Sequence, residues 1–274
     1  MSGPLEGVRV VELAGIGPTP FAGMMLSDMG AEVIRVDRVG GSGNPVASSS
    51  GPMERGKRAI AVDLKSDAGC ELVLDLVAGA DVLLEGFRAG VAERLGLGPD
   101  VCLARNPDLV FARMTGWGQE GPLRDRAGHD INYISMAGPL AHIGRVDQPP
   151  TVPLNLIGDF GGGSMFVVLG IVTALYAAKA GRGGQVVDAA MVDGAAYLLA
   201  PLYAAHASGF WTDERGTNFL DSGAHFYDVY ETSDGCYMEV GAIEPQCYEQ
   251  LRDGLGLADV AGLPAQMDRS AWPA

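Results

Sequence analysis

The first 115 residues alternate short apolar runs with stretches that carry apolar residues at helical spacing, and this alternation limits the fold more than any other feature. Short apolar runs are typical of strands buried on both faces of a sheet. Because helical stretches separate the runs, successive strands are expected to lie parallel, joined by right-handed crossovers. The pattern predicts strands at 8–13, 32–36, 60–64, 82–84 and 109–114, and helices at 21–29 and 70–77.

The second half of the chain has a different pattern. Helices are expected at 131–137, 165–178 and 191–208, and the runs 226–231 and 237–240, joined across Ser233-Asp234-Gly235, predict a β-hairpin. The predicted fold is therefore α/β, with a Rossmann-like, largely parallel sheet in a large domain and a second, smaller α+β domain. The predicted borders are 1–186 for the large domain, 187–224 for a helical linker and 225–274 for the small domain.

Composition excludes several classes of protein. A net charge of −15 argues against a broad surface for nucleic acid or an anionic membrane. The four cysteines lack the spacing of a zinc site or a disulfide framework, so we expect reduced thiols, no metal site and a cytoplasmic protein. The N-terminus lacks the pattern of a secretory signal, and the longest apolar run, 165–178, is shorter than the roughly 20 residues of a membrane span.

The basic residues are concentrated in one part of this acidic chain. Residues 35–94 carry eight basic and nine acidic side chains, and Arg55, Lys57 and Arg58 lie within four positions. Such a cluster can hold a polyanionic small molecule through charge-assisted hydrogen bonds, or it can be a solvated basic loop. The Gly- and Ser-rich stretch 39–56 around this cluster predicts a mobile loop.

Two titratable residues are each flanked by glycine, His129 in Gly-His-Asp-Ile-Asn-Tyr (128–133) and Asp159 in Gly-Asp-Phe-Gly-Gly-Gly (158–163). Glycine lets a backbone approach a ligand closely. A histidine and an aspartate that face each other can act as two bases on opposite sides of one carbon. Asp159 is expected just before a helix, where amide groups stabilise an oxyanion, although aspartate is also a common N-cap.

Two other motifs resemble known sites incompletely. Residues 15–20 (Gly-Ile-Gly-Pro-Thr-Pro), with Asp37 further on, resemble a dinucleotide fingerprint, but Pro20 replaces the third glycine, so we do not expect NAD binding. Asp-Phe-Gly at 159–161 resembles the magnesium triplet of kinases but lacks the other kinase motifs.

Taken together, seven segments resemble the alpha-methylacyl-CoA racemases of the family III CoA-transferase superfamily. The likeness covers essentially the whole chain. The segments are 3–13 (GPLEGVRVVEL), 61–65 (AVDLK), 85–88 (EGFR), 114–118 (MTGWG), 128–133 (GHDINY), 158–163 (GDFGGG) and 184–188 (GQVVD).

This resemblance implies that the CoA part of an acyl-CoA substrate binds the large domain and that no separate cofactor is needed. It also implies that the phosphates meet cationic partners, which favours the binding interpretation of the basic stretch. The positions that match CoA contacts in the family are Arg38, Val62, Asp63, Leu64, Lys65, Gly86, Phe87, Arg88, Arg94, Gly128, Asp130, Ile131, Asn132 and Tyr133.

The resemblance further implies a racemase that moves the α-proton of a 2-methylacyl-CoA through an enolate, with His129 and Asp159 as the two acid/base groups. Glu244 is expected to orient His129 and Asn155 to orient Asp159, although Glu244 can also be an ordinary acid at a helix N-terminus. In the family this glutamate comes from the partner subunit, which implies an interlocked homodimer if the full-length chain is present.

Two alternatives remain at this point. A CoA-transferase would use Asp159 as a nucleophile that forms a mixed anhydride, without need of His129 or Glu244. A CoA-binding remnant without activity is the other, because the family continues beyond the point where this sequence stops, so the C-terminal part of the fold is expected to be missing.

Overall fold

The computed structural model describes residues 3–41 and 51–272, and a six-stranded parallel sheet forms its centre. The predicted α/β class is confirmed. The strand order is β3-β2-β1-β4-β5-β6. The strands are β1 (Arg9–Leu13), β2 (Glu32–Arg38), β3 (Arg58–Val62), β4 (Val82–Glu85), β5 (Val110–Thr115) and β6 (Gln185–Ala190).

Helices cover both faces of this sheet. They are α1 (Pro18–Asp28), α2 (Asp67–Ala78), α3 (Val91–Arg94), α4 (Pro99–Arg105), α5 (Asp130–Ala137), α6 (Met165–Ala177) and α7 (Met191–Leu198). Neighbouring residues of one strand enter different cores, since Val10 packs with Val168 and Ile171 of α6, whereas Val11 packs with Val73 of α2. Alternation of side chains along each strand thus explains why the runs are apolar throughout.

The order of the strands gives a topological switch point between β1 and β4. From β1 the chain adds β2 and β3 on one side, then crosses to add β4, β5 and β6 on the other side. The loops that follow β1 and β4 therefore leave the sheet in opposite directions. In open α/β sheets such a switch point, at the carboxyl ends of the strands, is the usual place for a ligand.

A segment with π-type hydrogen bonding, Leu156–Ser164, leads directly into α6. The amide of Met165 bonds to the carbonyl of Phe160, five residues earlier. With Ala178–Arg182 these residues form one helical stretch of 27 residues that is apolar and long enough to cross a membrane by length and composition alone. Core helices of soluble proteins have the same properties, and α6 packs Val167 and Ile171 against the sheet.

The chain divides into two compact units. The first comprises residues 1–137 and 154–198, and the second comprises residues 138–153 and 199–274. The second unit contains α8 (Ala200–Ala207), the predicted hairpin as β7 (Tyr227–Glu231) and β8 (Tyr237–Gly241), and α9 (Pro245–Gly254). Its core contains Ala224, Phe226, Ala242 and Trp272. The borders predicted from the sequence, at 186 and 224, stay a prediction.

The helix predicted at 191–208 is in fact two helices. α7 ends at Leu198 and α8 begins at Ala200, with a proline in its first turn. Because Pro201 has no amide hydrogen, it fits a first helical turn but not a helix interior. The structure also adds β6, which the pattern did not predict.

The three clustered cations are paired within the protein. Lys57 forms a buried ion pair with Glu12, with 2.8 Å between Nζ and Oε2. Arg55 pairs with Asp28, and Arg58 pairs with Glu32. The prediction of a polyanion site is wrong for Lys57, because moving this side chain to a ligand would leave the buried Glu12 carboxylate without its cation. For the exposed Arg55 and Arg58 it stays a prediction. The mobile loop predicted around them includes residues 42–50, which lie outside the described part of the chain.

Candidate active site

Three segments with predicted CoA contacts lie at one edge of the parallel sheet. Arg38 ends β2, the segment 62–65 includes the end of β3, and the segment 86–88 follows β4. Since all these strands run in the same direction, their carboxyl ends share an edge. The structure thus brings together three segments that are up to 50 residues apart in the sequence.

Four exposed cations are available near this edge or on the adjoining helix α3. Among the described residues, their side chains make no hydrogen bond or ion pair to another residue, unlike the cations of the 55–58 cluster. They are Arg38, Lys65, Arg88 and Arg94. Val62, in contrast, is buried, so its side chain is not available to a ligand.

Asp159 lies in the first turn of the segment Leu156–Ser164 rather than before it. The position predicted from the sequence is therefore wrong by about one turn, and Asn155 is the N-cap residue. The amide Nδ2 of Asn155 donates to Oδ2 of Asp159 at 3.0 Å. This contact agrees with the expected partnership of the two side chains.

The Asp130 side chain is hydrogen-bonded to the backbone of this turn. Its Oδ2 accepts hydrogen bonds from the backbone amides of Gly158 and Asp159, at 2.6 and 2.7 Å. The carboxylate is buried, and its Oδ1 has no hydrogen-bond partner among the described residues. Gly158 is required at this point, because a Cβ would lie 2.7 Å from the Asp130 carboxylate. The Asp130 side chain thus holds the backbone that carries Asp159, and a contact between Asp130 and CoA stays a prediction.

The surroundings of Asp159 raise the pKa of its carboxyl. Burial raises the pKa of this carboxyl above its ordinary value, and the negative charge of Asp130 adds to the rise. The hydrogen bond from Asn155 and the charge of His129 act in the opposite direction. His129, exposed just before α5, is therefore close enough to interact electrostatically with Asp159.

Aromatic packing shapes the entry to α5. Tyr133 is buried and makes an edge-to-face contact with Trp117, with 4.7 Å between ring centroids. A Cβ at Gly116 or Gly128 would overlap the Tyr133 ring. Burial, together with the charges of Asp159 and Asp130, raises the pKa of Tyr133 to about 12, so its hydroxyl stays protonated.

Glu244 belongs to the second unit. It is the N-cap residue of α9, and its side chain makes no capping hydrogen bond. Its carboxylate is exposed. The proposed interaction of Glu244 with His129 stays a prediction.

Gly17 is a site residue that the sequence interpretation missed. Its φ angle is 72°, and a Cβ placed on it would lie 3.3 Å from Oδ2 of Asp159. The glycines after β1 form an incomplete dinucleotide fingerprint, which argues against NAD binding. Their presence after the first strand was nevertheless a usable signal, since it marks a backbone that approaches another group closely.

We expect Gly17→Ala to lower turnover roughly tenfold, since a displacement of a catalytic group by a fraction of an ångström is enough for that. Gly7→Ala is the matched control, because Gly7 also has a positive φ (83°) but nothing within 4 Å of its Cβ position. Both positions have a positive φ that side-chain-bearing residues rarely adopt, so each substitution introduces backbone strain. Equal turnover in the two variants, measured at matched folded fraction, would contradict a close contact between Gly17 and Asp159.

The fold is a Rossmann-like parallel sheet with predicted site residues at its carboxyl edge, and comparisons with known proteins identify its family. The pattern of CoA-transferase family III matches residues 5–273. Alpha-methylacyl-CoA racemase from Mus musculus is 50% identical over 98% of this chain and 69% of its own length. The human protein of that name is 48% identical over the same shares.

Solved structures and other relatives extend this picture. The crystal structure of a CAIB/BAIF family protein from Brucella suis superimposes with a TM-score of 0.80 at 31% identity, over 95% of this chain and 72% of that one. Succinyl-CoA--D-citramalate CoA-transferase from Chloroflexus aurantiacus is 34% identical over 95% of this chain and 67% of its own length. The chain belongs to CoA-transferase family III. The resemblance inferred from the motifs and the expectation of an enzyme are both confirmed.

Proposed function

We propose that the protein interconverts (R)- and (S)-2-methylacyl-CoA thioesters by moving the α-proton between two faces of an enolate. The observation that carries this proposal is the pair formed by a half-buried Asp159 with a raised pKa and a His129 that interacts with it electrostatically. The racemases that share about half of this sequence support the same activity. CoA is part of the substrate, so the reaction needs no separate cofactor.

The exposed cations at the strand ends are proposed to bind the CoA phosphates. Arg38 ends β2 and Arg88 follows β4, on the two sides of the switch point, and both side chains are exposed. Arginine suits this role because its planar guanidinium forms paired hydrogen bonds with phosphate. A ligand held in this way would extend along the sheet edge toward the turn of Asp159.

The acid/base roles follow from the number of protons that His129 and Asp159 hold together. If neutral His129 removes the proton from one enantiomer, Asp159 must start protonated so that it can deliver a proton to the opposite face. The pair holds one proton in either direction. Ordinary pKa values near 6.5 for histidine and 3.9 for aspartate would favour the ion pair, so a raised pKa of Asp159 makes both directions more accessible.

The negative charge of the enolate falls on the thioester oxygen, which needs hydrogen-bond donors. Asp130 already occupies the amides of Gly158 and Asp159. The donors are therefore proposed to be other amides of the same turn. Asn155 keeps the Asp159 carboxyl in place.

A homodimer is proposed to complete the site, with Glu244 of the second copy orienting His129. One face of α6 supports an interface, because its apolar side chains are exposed at intervals of four, three and four residues: Met165, Leu169, Val172 and Tyr176. Such a stripe is typical of a helix that packs against another surface. Light scattering should give the mass of a dimer for the protein and that of a monomer for Leu169→Lys, whereas a monomeric parent protein would contradict the interface.

Incubation with one pure enantiomer in deuterium oxide tests the proposed activity. We expect loss of optical purity together with one deuterium at the α-carbon, without any added acceptor acid. Retention of both configuration and the α-proton, in protein shown to be folded, would rule out the racemase reaction.

The alternative is a CoA-transferase, favoured by relatives such as the citramalate CoA-transferase at 34% identity. In that reaction Asp159 attacks the thioester and forms a mixed anhydride, releasing CoA. The same incubation distinguishes the two, since a transferase makes new acyl-CoA only when a carboxylic acid acceptor is supplied. Formation of a new thioester with an acceptor, but no exchange of the α-proton, would support the transferase.

A further inference from the structure

A row of charged residues crosses the sheet beneath the predicted CoA site. Glu85, the last residue of β4, lies opposite Arg113 of β5, which in turn lies opposite Asp188 of β6. The side chains of Glu85 and Arg113 are 1% and 7% exposed. The proton-transfer scheme above uses none of the three.

Glu85 fixes the loop that carries Arg88. One oxygen, Oε2, accepts a hydrogen bond of 2.6 Å from the backbone amide of Phe87. The other oxygen, Oε1, lies 3.4 Å from Nε of Arg113. The Glu85 side chain thus restrains the backbone of Phe87, the residue before Arg88.

Arg113 also fixes the helix that carries Arg94. Its Nη2 donates to Oε1 of Glu93 at 2.8 Å, and Glu93 precedes Arg94 in α3. One buried guanidinium therefore connects both segments that carry a predicted phosphate-binding arginine. Guanidinium is suited to this task, because its donors point in fixed directions in one plane.

The connection depends on charge as well as on geometry. Burial raises the pKa of Glu85 to about 7, and the charge of Arg113 opposes that rise. Burial also raises the pKa of Asp188, and Arg113 opposes that rise too. Arg113 is thus a cation shared by three carboxylates. Without it, the Glu85 carboxylate would be buried without a counter-charge and would tend to become protonated.

We propose that Arg113 and Glu85 are positioning residues for the CoA part of the substrate, which hold the loop of Arg88 and the helix of Arg94 at the spacing that the phosphates require. This inference rests on the proposed function, because it presumes that these two arginines contact CoA. Neither Arg113 nor Glu85 needs to touch the ligand.

Glu93→Ala tests the proposal with little risk of unfolding, because this side chain is 43% exposed, unlike its buried partner. We expect roughly tenfold weaker binding of free CoA and a KM for 2-methylacyl-CoA that rises by the same factor, with kcat within about twofold of the parent value. Arg113→Lys, which keeps the charge but loses the planar fork, should weaken CoA binding as well. Titration calorimetry with CoA and initial rates provide the two measurements.

Glu71→Ala is the matched control, since Glu71 also pairs with an arginine, Arg105, but on helices α2 and α4. It should leave both CoA binding and kcat unchanged. Parent-like CoA binding in folded Glu93→Ala and Arg113→Lys would overturn the positioning role and leave the proposed function intact. A fall in kcat without a change in CoA binding would also overturn the positioning role and leave the proposed function intact. A parent protein that does not bind CoA would overturn both.

Discussion

Asp159→Asn should lower racemisation by roughly a thousandfold, within the range that positioned general acid–base groups supply. Asparagine has nearly the same shape and can still bond to Asn155, which now contacts the carboxylate at 3.0 Å. It cannot accept or deliver the α-proton. The expected loss is therefore in kcat, with little change in CoA binding, and the change in optical rotation of each pure enantiomer measures it.

Exchange with solvent makes this test sharper. If His129 and Asp159 serve opposite faces, Asp159→Asn should still allow deuterium into the enantiomer whose proton faces His129, while configuration is retained. His129→Ala should show the converse, with exchange only in the other enantiomer. The two-base mechanism would be contradicted if the Asp159 variant racemised the substrate at the parent rate. Equal loss of deuterium exchange in both enantiomers would contradict it too.

Asp193→Asn is the control for a purely electrostatic role. Asp193 occupies the first turn of α7, as Asp159 occupies the first turn of its own helical segment. A charge at either place interacts favourably with a helix N-terminus. If Asp193→Asn lowered kcat as strongly as Asp159→Asn, loss of helix stability rather than loss of a proton carrier would explain both.

The central strands could be predicted because their residues are buried on both faces. Val10 and Val11 enter opposite cores, so β1 shows as a continuous apolar run. β6 has mostly exposed side chains in its first four positions and lies at the edge of the sheet. Its sequence, Gln-Val-Val-Asp-Ala-Ala, therefore lacks the apolar run that revealed the other strands.

One contact in the candidate site could be predicted from the sequence, but its wider geometry could not. The motifs indicated Asp159 and Asn155, which the structure brings into contact. The role of Asp130 depends on a hydrogen bond to a turn 28 residues further along the chain, which spacing alone does not reveal. Counting charges was misleading for Lys57 for a similar reason, because its carboxylate partner Glu12 lies 45 residues earlier, on β1.

That buried pair gives the second large effect. We expect Lys57→Met to destabilise the protein by about 3–5 kcal/mol at pH 8, because it leaves the Glu12 carboxylate buried without its cation. Glu12 is fully buried and the Lys57 side chain is only 2% exposed. Burial raises the pKa of Glu12 to about 7 even with Lys57 beside it, so loss of Lys57 must raise that pKa further.

The sign of the pH dependence follows from proton binding. An unfolded glutamate loses its proton near pH 4.5, whereas the folded Glu12 keeps it to higher pH. Between these values the folded state binds more protons, so rising pH weakens stability. In Lys57→Met this window extends upward, so the destabilisation should be small at pH 5 and should grow toward pH 8. Urea unfolding of parent and variant at both values measures the difference.

Arg58→Met provides the comparison. Arg58 is next to Lys57 in sequence and also pairs with a carboxylate, Glu32, but its side chain is 69% exposed. Exposed pairs contribute about 0–1 kcal/mol, so this variant should unfold near the parent midpoint at both pH values. If the two variants lost the same stability, or if the loss in Lys57→Met did not change with pH, the cost of an unpaired buried carboxylate would not be its cause. A pH-dependent loss of stability confined to Lys57→Met would show that Lys57 stabilises the fold by neutralising Glu12. Lys57 would then have a structural role, and binding of the ligand would depend on the exposed arginines at the sheet edge.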